Sequence, residues 1–110
     1  MGTELKKYRF TYKEGVRNMK YYAIFLSAGE AWEQNKNMGE QNLQPHRDYW
    51  RPYRGEKMIA GGPLEETEGL IILQVDTREE ATELANGDPA VKKGIFTAKV
   101  YVWQPLFTTF

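Results

Sequence analysis

Two stretches decide the fold: residues 69–75, Gly-Leu-Ile-Ile-Leu-Gln-Val, and residues 20–27, Lys-Tyr-Tyr-Ala-Ile-Phe-Leu-Ser. Neither alternates cleanly between apolar and polar positions. Each is apolar on both sides of an extended chain, which is the pattern of a strand covered on both faces. Such strands belong inside a layered domain, with helices against one face of the sheet and a further cover on the other.

Working outward from residues 69–75, Lys57–Ala60 reads as a short strand that Gly61-Gly62-Pro63 terminates, followed by a polar turn over Leu64–Glu68. Downstream, Asp76 or Thr77 can cap a helix over Arg78–Ala85, with Glu79 and Glu80 at its positive end and Asn86-Gly87 closing it. Asp88-Pro89 then reads as an N-cap with proline at N1, opening a short turn that ends at Gly94. Asn serves as well as Asp at such a cap, so on this reading Asp88→Asn keeps most of the stability. Ile95–Trp103 alternates Phe96, Ala98, Val100 and Val102 against Thr97, Lys99, Tyr101 and Trp103, a last strand.

Upstream, Pro45 opens a helix in which His46, Tyr49, Trp50 and Tyr53 follow i, i+3, i+4, i+7 spacing and share a face, beside a stripe of Arg47, Arg51 and Arg54. Pro52 inside that helix predicts a kink or an early tightening, and Gly55 its end. The polar stretch Ala28–Gln44, with one expected helical turn around Glu30–Gln34, is long for a connection and reads either as a lid holding Trp32 and Met38 or as an idle excursion. Residues 1–18 are an extension or an extra edge strand, because Tyr8, Phe10 and Tyr12 alternate with polar neighbours ahead of a second Met at 19; residues 19–110 form the domain proper.

The element order is βαββαβ, an α+β ferredoxin-like arrangement with a four-stranded antiparallel sheet. Two helices cover one face, and a second copy of the same sheet is the economical cover for the other. The aromatic content of 14%, with seven Tyr and three Trp, agrees with an interface or a ligand pocket. Fifteen basic residues balance fifteen acidic ones, which removes the electrostatic drive toward nucleic acid. There is no cysteine and one histidine, so thiolate chemistry, disulfides and any two-imidazole metal site from one chain are excluded, and no cofactor is expected. No apolar run reaches the roughly 20 residues that span a bilayer, and the first twenty residues are too charged for a secretory signal. A cytoplasmic protein is the expectation.

His46-Arg47-Asp48-Tyr49, Ala60-Gly61-Gly62-Pro63-Leu64, Val75-Asp76-Thr77-Arg78-Glu79-Glu80-Ala81 and Asn86-Gly87-Asp88-Pro89-Ala90-Val91, with Gly94-Ile95-Phe96 and Trp103-Gln104-Pro105, together resemble the YciI-like (YCII-related) family over residues 19–106. The chain departs from the family pattern in its N-terminal extension, in the long segment before His46 and at Pro52. The resemblance implies a dimeric α/β barrel with a site around a His and an Asp, roles that fall on His46 and Asp88. Tyr49, Trp50, Gly62 and Pro63 are then the expected wall of a substrate pocket. Two functions stay open. One is an acid–base enzyme acting on a small cyclic or aromatic molecule, with His46 moving the proton and Asp88 orienting it. The other is a non-catalytic dimeric ligand-binding or accessory protein in which His46 packs on Trp50 and Asp88 is only a cap. Fold alone does not choose between them.

Overall fold

Val75 is 1% exposed and Leu73 and Ile24 are fully buried, so the two doubly apolar stretches form the middle of the sheet. A computed structural model describes residues 20–110. Strand β1 is Lys20–Ala28, helix α1 Gln44–Trp50, β2 Met58–Leu64, β3 Glu68–Val75, α2 Arg78–Gly87, α3 Pro89–Lys92 and β4 Phe96–Trp103. The sheet order is β2-β3-β1-β4 with every neighbouring pair antiparallel, the ferredoxin-like α+β arrangement. Residues 1–18, read as an extension or edge strand, lie outside the described residues.

Register explains why β1 and β3 are apolar on both sides. Ile24 pairs with Ile71 and Tyr22 with Leu73, and these residues face the helices. Between them in sequence, Ala23 pairs with Ile72 and Phe25 with Leu70, and these point to the opposite face. Tyr101 and Trp103 of β4 join that second face opposite Ala23 and Tyr21. No helix covers it among the described residues. Phe110 leans on the rings of Tyr21 and Trp103 at one corner, at centroid separations of 5.5 and 6.1 Å.

Strand β2 runs further than its sequence suggests. Gly61-Gly62-Pro63 continues it to Leu64 instead of ending it. The strand lies at the sheet edge, where proline's missing N–H removes no ladder bond and glycine's weak strand preference is offset by pairing with Ile71, Leu70 and Gly69. A register shift between Met58 and Ala60 marks a bulge in the same strand.

Pro52 tightens the first helix: α1 stops at Trp50 and a 3-10 turn occupies Arg51–Tyr53. Of the two offered caps Thr77 takes the role, its side chain accepting from the Glu80 N–H at 3.1 Å. That helix then runs through Asn86 to Gly87 before closing.

The segment between β1 and α1 is pinned down, which corrects its reading as a lid. Trp32 is 7% and Leu43 3% exposed, and both belong to the core, where the Trp32 and Phe96 rings lie 5.8 Å apart. The buried side chain of Gln41 acts as a clasp, accepting from the Glu33 N–H at 2.9 Å and donating to the Glu33 and Lys36 carbonyls. Gly29 passes so near the Gly94 carbonyl that a Cβ there would overlap it. The one-turn helix falls at Met38–Glu40, not around Glu30–Gln34, because Asn37 and Glu40 form a reciprocal capping box. Trp32→Ala should therefore cost about 3–5 kcal/mol, the range for deleting a buried aromatic. Urea unfolding reads this directly, and a change within about 0.5 kcal/mol would restore the loose-loop reading.

Candidate functional site

The sequence Asp88-Pro89 does two local jobs at the junction of α2 and α3. Asp88 closes α2 through its N–H to the Ala85 carbonyl at 3.3 Å, and its Oδ1 accepts from the Ala90 N–H at 2.8 Å to cap α3. Proline follows at N1, where it needs no donor. Asp88 is completely buried. A carboxylate withdrawn from water must be fully hydrogen-bonded, and its second oxygen finds two partners on α1. Oδ2 accepts from Trp50 Nε1–H at 2.8 Å and lies 2.6 Å from His46 Nδ1.

His46 and Trp50 are four residues apart on α1, so they stand in one row and reach the same carboxylate. The backbone N–H of Ala90 and the indole N–H of Trp50 are donors only. With Asp88 as the acceptor throughout, Nδ1 of His46 carries hydrogen and a neutral imidazole presents its lone pair at Nε2. Nε2 has no hydrogen-bond partner among the described residues. The imidazole is 19% exposed, and its ring meets Phe96 edge-on at 5.7 Å.

The exposed part of His46 borders an open cleft of about 280 Å³ between α1 and strands β2 and β3. Trp50, Met58 and Ile71 supply its apolar surface, the backbone of Gly61 and Gly62 its edge, and Arg47, Arg51 and Arg54 its polar side. Arg51 is paired with Asp48 at 2.7 Å; this hydrogen bond, with a second from Gln44, holds the Asp48 carboxyl below its ordinary range. A larger groove of about 630 Å³ lies near Glu30, Lys92, Lys93 and Thr97. It gathers no buried polar side chain, so the smaller cleft beside a hydrogen-bonded imidazole is the better site on chemical grounds.

Of the residues expected from sequence, His46, Asp88, Trp50 and Gly62 come together, and Tyr49 and Pro63 do not. Tyr49 stands in the next row of α1 with Tyr53, its hydroxyl donating to the Leu84 carbonyl at 2.7 Å. It packs over Gly87, where a Cβ would collide with it. Burial, with Tyr53 and Asp88 nearby, pushes its phenol above the ordinary value. Pro63 pairs with Gly69, past the cleft, and is exposed. Sequence reasoning missed Met58 and Ile71 as lining residues. Only the pairing of β2 with β3 brings them under α1, and no local motif announces it. Gly61 had a signal in the double glycine, read there as a bend. Among the described residues no group of three or more acidic or histidine side chains converges as a metal site would require. Nor is any helix there long and apolar enough to cross a membrane.

The family model for the YCII-related domain matches residues 19–104. The chain belongs to the YCII-related family. The match spans β1 to the end of β4 and so contains the whole His46–Asp88 cleft. No curated protein and no solved structure matches the chain.

With three donors on one buried carboxylate, Asn is no longer an equivalent of Asp at this YCII-related junction. Its amide nitrogen must oppose an N–H on one side. Asp88→Asn should cost about 1.5–3 kcal/mol, the worth of a hydrogen bond to a charged group. Urea unfolding checks this, and a variant as stable as the parent would mean that Asp88 is a cap alone.

Proposed function

We propose that this YCII-related protein is an acid–base enzyme for a small cyclic or aromatic molecule, in which His46 Nε2 takes or returns a proton and Asp88 fixes the ring behind it. The observation that carries the reading is the 2.6 Å contact of His46 Nδ1 with a carboxylate that is itself fully buried. A carboxylate in that position orients the imidazole, selects the tautomer with a bare Nε2 and stabilises the imidazolium formed when Nε2 takes a proton. An apolar surface of Trp50, Met58 and Ile71 suits a ring, and the size of the cleft suits a molecule of one ring.

The second reading, a non-catalytic ligand-binding protein, is favoured by one observation. Asp88 also holds Trp50 and caps α3, so the pair has structural work of its own. Both readings share a dimer. The uncovered sheet face carries Tyr21, Phe25, Leu70, Ile72 and Tyr101, and we propose that a second copy of the chain covers it face to face. Light scattering should give the mass of two chains; a monomer would contradict the pairing.

Proton chemistry is read without knowing the natural substrate. The protein, incubated in deuterated water with a panel of small cyclic carbonyl compounds, should speed deuterium incorporation beside the carbonyl. His46→Gln should slow that exchange by about 10²–10⁴-fold while leaving the far-ultraviolet circular dichroism unchanged. If the parent accelerates no member of the panel, or the variant exchanges as fast, the ligand-binding reading replaces the catalytic one.

A further inference from the structure

The cleft beside His46 has a charge imbalance that the proton chemistry does not use. Three arginines border it and no carboxylate does. Arg51 is neutralised by Asp48 at 2.7 Å. Among the described residues Arg47 hydrogen-bonds only the neutral Gln44 side-chain oxygen, at 3.1 Å, and feels the Asp48 carboxylate without a direct contact. Arg54 makes no ion pair among the described residues. Asp88, the carboxylate nearest in the interior, is buried and saturated by His46, Trp50 and Ala90. With no direct ion pair among the described residues, the guanidinium groups of Arg47 and Arg54 are both left open to an anion in the cleft.

Their placement is built, not incidental. Pro52 shortens the helix into a 3-10 turn, and Arg54 leaves it in extended conformation, its N–H donating to the Arg51 carbonyl at 3.2 Å. Gly55, at φ +80°, turns the chain back so that its N–H meets the Met58 carbonyl at 2.9 Å. Arg54 is thereby tied by a bridge to Met58, an apolar residue of the same cleft. Arg47 adjoins the other end, next to His46 in sequence. A guanidinium matches a carboxylate fork to fork. The cleft's 280 Å³ is larger than the about 150 Å³ that encloses a benzene ring, so it has room for one ring and a small charged substituent.

We propose that the ligand of this cleft is a small cyclic or aromatic carboxylic acid, its carboxylate held by Arg54 and Arg47 and its ring lying on Trp50, Met58 and Ile71. This rests on the reading of the His46 cleft as the working site, and it adds the charge of the substrate. The arginines are specificity residues. They choose an acid over its neutral analogue and hold the ring within reach of His46 Nε2, without taking part in proton transfer.

The test compares benzoate with benzamide, the same ring without the charge, at constant ionic strength. Binding is followed by NMR at the Trp50 indole N–H and the His46 ring protons. Benzoate should give saturable shifts at both residues and bind about tenfold or more tightly than benzamide. Arg54→Gln and Arg47→Gln should each lose most of that preference, weakening benzoate far more than benzamide. Gly61→Val should weaken both ligands, because a Cβ there lies in ordinary contact with Met58 and Ile71 and adds bulk to the cleft without forcing the backbone. No saturable shift with benzoate, equal affinity for the two ligands, or a preference untouched by both arginine changes would each overturn the proposal. Proton transfer is read with His46→Gln on neutral carbonyl compounds and charge selection with the arginine variants, so either reading can fail while the other stands.

Discussion

Asp88 carries its carboxyl group to full burial, and the helices around it are arranged to answer it. An uncompensated charge at full burial costs several kcal/mol. Three donors from two elements therefore converge: Trp50 Nε1–H and His46 Nδ1–H from α1, and the Ala90 N–H from the first turn of α3. Because each donor is fixed to its own helix, satisfying one carboxylate also sets how α1 lies against the α2–α3 junction. The interaction that ties α1 to the α2–α3 junction is the one that fixes the only imidazole of the chain, so packing and the proposed proton chemistry share an atom, Asp88 Oδ2.

The cleft follows from what surrounds that anchor. β2 is an edge strand, and a side chain in place of Gly61 would add bulk beside Met58 and Ile71, on the face turned to α1. Pro52 ends the regular helix at Trp50, and the chain returns through Gly55 to Met58, which sets Arg54 at the mouth. The opposite wall is densely packed, with Trp32, Leu43 and Phe96 together behind His46. This places a positioned imidazole, an apolar shelf and two guanidinium groups with no direct ion pair among the described residues in one small volume, as the proposed chemistry requires.

Much of this is legible in the sequence, for physical reasons that differ by element. The double apolar faces of residues 20–27 and 69–75 follow from the pleat of a strand, so the sheet and its helix-covered face can be read locally. Asp88-Pro89 is a cap whose chemistry is local too. The row of His46 and Trp50 follows from helical spacing, but spacing alone does not separate it from the row of Tyr49 and Tyr53. Which row meets Asp88 depends on how α1 rolls on the sheet, and Tyr49 falls on the side of Leu84 and Gly87. Strand β2 was harder still, because an edge position that tolerates Gly-Gly-Pro is a property of the assembled sheet. The long polar segment after β1 reads from its sequence as a lid or an idle excursion. Its order comes from two apolar anchors and one glutamine, Trp32, Leu43 and Gln41, whose partners lie apart in sequence.

The central claim is that Asp88 commits His46 to one tautomer, with hydrogen on Nδ1 and a bare Nε2 turned to the cleft. Because the chain has a single histidine, nitrogen-15 NMR of the labelled imidazole above its titration range reads this without ambiguity. The account predicts a protonated Nδ1 hydrogen-bonded to the carboxylate and an unprotonated Nε2. A neutral ring with its hydrogen on Nε2 would contradict it, because the lone pair would then face Asp88 and nothing on His46 could take a proton from a ligand.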